Sequence, residues 1–154
     1  MGKYLGLGKL VMLAWIVVTI LLVSQSISVY RDIEQDVGGY LARADAATTA
    51  VQMAGFIDNA MNGLDKWGMY EGSWGLIVKD PNTHMGLART QLVDLRNRLL
   101  EIERTENRGS MGYAESMEEI KRNFSRIAIG PYEWYTLRHA IYLYPEVFVI
   151  TLFC

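Results

Sequence analysis

A stretch of 21 consecutive residues without a charged side chain, from Leu10 to Tyr30, constrains this chain more than any other feature. As an α-helix it spans about 31 Å, the thickness of the hydrocarbon core of a bilayer. The sequence therefore predicts a transmembrane helix over residues 10–30, preceded by a short basic flank over residues 1–9. A cleavable signal peptide is the alternative, with Ser24-Gln25-Ser26 as its small-x-small processing site.

The basic residues around this segment predict its orientation in a membrane. Lys3, Lys9 and the α-amino group precede the segment, whereas Arg31 and Arg43 follow it closely. Positive charge is enriched on the cytoplasmic side of membrane helices. We therefore expect a single-pass protein with a cytoplasmic N-terminus and the remaining chain on the periplasmic or extracellular side.

Beyond the apolar segment, spacings of three and four residues continue between apolar positions, as on one face of a helix. The positions are Tyr30, Ile33, Val37, Tyr40, Ala44, Ala47, Val51, Ala54, Ile57, Met61 and Leu64. They predict one long helix that continues out of the membrane to about residue 65. Gly38 and Gly39 lie within it and cost about 2 kcal/mol of helix propensity relative to alanine, so we expect any kink there.

A second pattern on this predicted helix consists of small residues every four positions. It comprises Gly38, Ala42, Ala46, Ala50 and Ala54. A row of small side chains lets another helix backbone approach closely, so these residues are candidates for a helix–helix interaction. The alternative interpretation is that alanine is present only because it favours helix formation.

The helical pattern stops at a glycine-rich loop over residues 66–83, in which Trp67 and Trp74 are candidate interaction residues. Over residues 84–129 two further apolar series with spacings of four and three predict an antiparallel helical hairpin. The first series is Ala88, Leu92, Leu95, Leu99 and Ile102, and the second is Tyr113, Met117, Ile120, Phe124 and Ile127. The fold class predicted is all-α, with a three-helix, heptad-patterned bundle over residues 31–130.

The C-terminal tail, residues 131–154, is aromatic and apolar. Only eight residues follow Glu146, which is too few for a second transmembrane helix. An apolar tail of this kind needs to be covered, either by its own bundle or by a partner. Its candidate interaction residues are Tyr132, Trp134, Tyr135, Phe148 and Phe153.

Composition and motifs give no indication of catalysis or of a cofactor. A net charge of −2 provides no electrostatic footprint for nucleic acid, and a single cysteine excludes a multi-cysteine metal site. The two histidines, His84 and His139, fall in different predicted elements and form no metal-binding motif. We therefore expect a protein that is not an enzyme and that has no metal, cofactor or nucleic-acid partner.

These features favour an accessory or scaffolding subunit of a larger membrane complex, such as an energy-converting (photosynthetic or respiratory) or secretion assembly. Its partners would be the lipid bilayer and other membrane-protein subunits. Two alternatives remain at this point. One is a homo-oligomeric coiled-coil stalk or filament subunit, and the other is a sensory ectodomain without its own output domain.

Overall fold

The computed structural model describes residues 2–69, 71–72, 83–127 and 129; most of these residues are helical and no β-strand occurs among them. In chain order the elements are α1 (Gly2–Ile33), a π-helical turn (Glu34–Gly38), α2 (Gly39–Ala46), α3 (Ala50–Lys66), α4 (Met85–Thr105) and α5 (Met111–Phe124). The described residues up to Arg31 fall in one compact unit, and those from Asp32 onward fall in a second. The predicted all-α class is confirmed.

Helix α1 contains the apolar segment found in the sequence. Within the described residues it provides the one helix long and apolar enough to cross a membrane, and none of its most apolar 18-residue window is buried. Its polar Thr19 donates its hydroxyl to the carbonyl oxygen of Trp15 at 2.9 Å. This hydrogen bond satisfies the hydroxyl within the helix itself.

The predicted uninterrupted helix to about residue 65 differs from the structure, because the chain reverses between α2 and α3. Helix α2 ends at Ala46, Ala47 has an extended backbone with ψ 142°, and Thr49 is the N-cap of α3. The Thr49 hydroxyl accepts a hydrogen bond from the backbone N–H of Gln52 at 3.4 Å. Threonine is a good N-cap residue and a weaker helix former than alanine, which favours a break here.

After this reversal Ala54, Ile57 and Leu64 of the predicted apolar face are buried, whereas Met61 is half-buried and Val51 is not buried. Val51, predicted on the apolar face, is 46% exposed. The buried residues of α3 are Ala50, Met53, Ala54, Ile57, Ala60, Gly63 and Leu64. The second unit therefore has two antiparallel helices, α2 and α3, where the sequence predicted a single helix.

The irregularity expected at Gly38 and Gly39 takes the form of the π turn. The backbone N–H of Gly39 donates to the carbonyl oxygen of Glu34, five residues earlier. Ile33 and Val37, four residues apart, are 1% and 0% exposed. Residues four apart lie on nearly the same face of an α-helix as well, and here both side chains stay buried on one face through the wider π turn.

Helix α4 packs antiparallel on α3, and two ion pairs lie along the contact. Arg96 donates from Nε to Asp58 Oδ1 at 3.1 Å, and Arg89 donates from Nη2 to Asp65 Oδ2 at 2.9 Å. Four of the five predicted apolar positions of α4 are buried, namely Ala88, Leu92, Leu95 and Leu99. The fifth, Ile102, is half-buried.

Helix α5 folds back on α4 after a turn at residues 106–110, and its predicted apolar residues Tyr113, Met117, Ile120 and Phe124 are buried. The Tyr113 hydroxyl accepts from the backbone N–H of Ala50 at 2.8 Å and donates to Glu103 Oε2 at 3.3 Å. The N–H of Ala50 is one of the donors that a helix start leaves without a helical partner. Tyr113 therefore connects the first turns of α3 and α5 to the end of α4.

Gly63 determines how closely α3 lies to the π turn. A Cβ atom added at Gly63 would overlap the carbonyl oxygen of Asp36, whereas a Cβ at Gly55 meets nothing within 4 Å. We expect Gly63→Ala to lower the free energy of unfolding by about 1–3 kcal/mol, because the two backbones must separate. Gly55→Ala in the same helix should raise it by up to about 1 kcal/mol through helix propensity.

Chemical denaturation in detergent micelles measures the free energy of unfolding of both variants. Each replaces a glycine of α3 by alanine, so the gain in helix propensity is common to both. A Gly63→Ala protein as stable as Gly55→Ala would contradict the close backbone contact.

Candidate functional site

We define the joint as the π turn (Glu34–Gly38) together with the end of helix α3 and its following turn (Gly63–Met69). The end of α3 is a Schellman motif, in which Met69 N–H donates to Leu64 O at 2.8 Å and Gly68 N–H to Asp65 O at 3.1 Å. Gly68 has a φ of +66°, a conformation that glycine adopts without steric cost. This turn fixes where the side chain of Trp67, between α3 and Gly68, leaves the helix.

The carboxylate of Asp36 is the centre of the joint. Its Oδ2 accepts a hydrogen bond from Lys66 Nζ at 2.6 Å and another from Trp67 Nε1 at 2.9 Å. The Lys66 ammonium also lies 5.3 Å from the centroid of the Trp67 ring. One side chain of the π turn is thus bound by two consecutive side chains at the end of α3.

The charge of Lys66 favours the ionised form of Asp36. Its hydrogen bond to the carboxylate lowers the pKa of Asp36 below the ordinary value of 3.8, and the Trp67 indole acts in the same direction, while partial burial opposes both. The Asp36 side chain is 31% exposed and the Lys66 side chain 63%. Solvent therefore screens the pair, which acts as a positioning contact between two helices.

A separate groove of about 550 Å³ lies at the start of helix α4, where His84 and Arg89 are among the lining residues. His84 is exposed and is the N-cap of α4, because its Nδ1 accepts from the backbone N–H of Leu87 at 3.3 Å. Across the described part of the chain, no group of three or more His, Cys, Asp or Glu side chains is arranged to hold a metal ion.

The predicted stripe of small residues is not one continuous surface. Gly38 is half-buried in the π turn, and Ala42 and Ala46 are exposed on α2. Ala50 and Ala54 are buried on α3, at 0% and 2% exposure. The chain reversal at residues 47–49 separates the two groups, since the four-residue spacing holds only along an uninterrupted helix.

Trp67 is the one predicted aromatic interaction residue within the described residues, and it belongs to the joint. The others lie outside those residues: Trp74, Tyr132, Trp134, Tyr135, Phe148 and Phe153. The sequence reasoning missed Asp36, Gly63 and Lys66. The sequence shows Lys-Trp-Gly at the end of a predicted helix, but Asp36, which binds this lysine, lies 30 residues earlier in the chain.

The ion pair of the joint predicts a pH-dependent stability. Because the folded pKa of Asp36 lies below 3.8, the pair stabilises the fold fully above that value. The contribution is lost as the pH falls through the lowered folded pKa. We expect Asp36→Asn to lower the free energy of unfolding by about 1 kcal/mol at pH 7, and by less in acid.

Denaturation curves recorded from pH 7 into acid measure the difference in free energy of unfolding between the wild type and Asp36→Asn. Lys66→Met is the matched control, because it removes the other partner and should show the same trend. The double variant should then cost less than the sum of the two single changes. A difference that stays constant with pH would contradict the role of the ionised carboxylate.

Comparison with known proteins adds no relative to this description. The chain matches no protein-family model, and no curated protein or solved structure is significantly similar to it. Its function is therefore inferred from its own residues.

Proposed function

We propose that the chain is a non-catalytic, single-pass accessory or scaffolding subunit of a larger membrane protein complex. Helix α1 contributes the membrane span over residues 10–30. The helical unit from Asp32 onward forms the extramembrane domain that docks on partner subunits. Its expected side is periplasmic or extracellular, with the N-terminus in the cytoplasm.

The observation that carries the proposal is the unburied apolar surface of α1. Met12, Leu13, Ile20 and Leu21 are each more than 60% exposed, at 65%, 65%, 61% and 63%. Soluble monomers rarely expose contiguous apolar patches larger than a few hundred Å². Lipid, or the apolar helices of other membrane subunits, is the environment in which this surface is stable.

The second unit has the opposite character, which supports an extramembrane location. Its core is apolar, but the ion pairs that join its helices are open to solvent. The Arg98–Glu119 pair, for example, has side chains that are 48% and 59% exposed. Such pairs are stable in water and costly in hydrocarbon, so this unit is suited to an aqueous surface.

The ionisable groups of the second unit also support a structural role. Asp36, Asp58 and Asp65 each bind a cationic side chain on another element, and those contacts position the helices. A catalytic site instead gathers titratable groups with perturbed pKa values in one cleft. In a scaffolding subunit, these residues connect the helices of the extramembrane domain.

Affinity purification in mild detergent, followed by sizing and mass spectrometry, tests the proposal. Other membrane proteins co-purifying at a constant ratio would support an accessory subunit and identify the complex. A monomer that purifies alone would overturn the proposal. A ladder of the chain itself would instead support the coiled-coil stalk or filament.

Membrane integration can be tested with lysines placed in α1. We expect the double variant Val17→Lys/Leu21→Lys to be lost from the membrane fraction after alkaline carbonate extraction. Each lysine at the centre of a span costs about 2.5–3.5 kcal/mol. Wild-type protein should stay in the pellet.

The matched control introduces two lysines at exposed apolar positions of the second unit. Val51 and Leu87 are 46% and 42% exposed, so Val51→Lys/Leu87→Lys should leave the membrane fraction unchanged. Extraction of the wild type, or retention of the α1 variant, would contradict a membrane-spanning α1.

Orientation is tested by cysteine labelling in a Cys154→Ser background. Asn107 is exposed in the turn between α4 and α5, and Asn107→Cys should react in intact cells with a membrane-impermeant maleimide. Gly2→Cys should react only after the cells are permeabilised. The reverse pattern would show that the N-terminus faces outward.

A further inference from the structure

The π turn is an unusual element inside an otherwise regular helix. Residues 2–46 are helical without interruption, and only Glu34–Gly38 depart from α-helical hydrogen bonding. π-Helical turns are rare, occur mostly as single insertions in α-helices, and are frequent at functional sites. The turn therefore needs contacts from elsewhere in the fold to favour it over a regular α-helix.

Those contacts come from one short stretch at the end of helix α3. Gly63 lies against the carbonyl group of Asp36 without room for a Cβ atom. Lys66 and Trp67 bind the Asp36 carboxylate at 2.6 and 2.9 Å. Backbone and side chain of the same π-turn residue are thus both held by residues 63–67.

We propose that the joint is a two-state device that sets the helical phase between the residues before Glu34 and those after Gly38. When Asp36 is bound, the turn is π-helical. When Asp36 is released, the turn becomes α-helical, with the same number of residues. The preceding residues then turn by roughly 100° about the helix axis and move along it by about 1.5 Å, the increments of one α-helical residue.

The π-helical state of the turn has contacts that favour it and features that oppose it. In its favour are the Asp36 contacts and the burial of Ile33, which is 1% exposed and would leave its site on rotation. Against it are the general preference for α-helical geometry and the solvent exposure of Lys66, which weakens the ion pair. With opposing contributions of this kind, a ligand or partner that binds one state more tightly can shift the equilibrium between the two states.

The biological use of the device rests on the proposed function. A partner helix that contacts α1 within the membrane and favours the rotated phase would pull Asp36 away from Lys66. A partner that binds near Lys66 and Trp67 would favour one phase of α1 in the same way. The two binding events would then be linked reciprocally, as thermodynamics requires.

Distance measurements between spin labels test the proposal in the purified full-length chain in lipid nanodiscs. Asp32 precedes the joint, whereas Ala42 and Ala46 follow it, and all three are exposed. Nitroxides on Asp32→Cys/Ala46→Cys, in a Cys154→Ser background, report the phase across the turn. The pair Asp32→Cys/Ala42→Cys is measured as well, because the two phases could give the same distance in one labelled pair but not in both.

We expect one main distance in each labelled pair. Asp36→Ala should add a second distance with a share comparable to the first, in both pairs. Asp58→Asn, which breaks an α3–α4 ion pair away from the joint, should leave the distances unchanged. Asp36→Ala combined with deletion of Gln35 should restore the original distances, because the deletion removes the extra residue of the turn.

An unchanged single distance in Asp36→Ala, with helical content intact by circular dichroism, would overturn the proposal. A second distance that also appears in Asp58→Asn would overturn it, since general loosening of the unit would then be the cause. The measurement needs no partner, so it is independent of co-purification. If the chain purifies alone but Asp36→Ala shows two distances, the accessory-subunit proposal is refuted while the two-state proposal for the joint still holds.

Discussion

The packing of the first helices in the second unit depends on one close backbone contact, in which Gly63 of α3 lies against the carbonyl group of Asp36. Because no side chain separates the two helices there, the carboxylate of Asp36 is within reach of Lys66 and Trp67. Asp36 also lies within the π turn, and Ile33 and Val37 beside it are buried. Packing, electrostatics and helical phase are therefore determined together at a single position.

The sequence predicted the helices well where apolar spacing was the only signal needed. Most of the predicted apolar positions of α4 and α5 are buried, among them Leu92, Leu99, Tyr113 and Ile120, although Ile102 is half-buried. The reversal at residues 47–49 was missed because Ala44, Ala47 and Ala54 continue the same spacing across it. Spacing records which residues share a face of a helix, but it does not record that the helix has ended. The capping hydroxyl of Thr49 carried that information.

The joint was harder to predict, for a different physical reason. Gly38 and Gly39 indicated an irregular position, but a π turn depends on contacts made elsewhere in the fold. Asp36 and Lys66 are 30 residues apart, and their contact exists only because α3 runs back along α2. Once the reversal was missed, no local pattern could bring the two side chains together. Long-range pairs of this kind follow from topology, whereas helix content follows from periodicity.

The small residues acquire a specific physical meaning once the reversal is taken into account. The buried small residues of α3 lie on the face that packs within the unit, and they are Ala50, Ala54, Ala60 and Gly63. Helix α3 contacts α2, the π turn and α4, and larger side chains at these positions would push its neighbours apart. Close helix approach occurs on this face, to which Ala50 and Ala54 of the predicted stripe belong. Gly63 is its extreme case, because there the contact is with a backbone carbonyl group and even a methyl group is excluded.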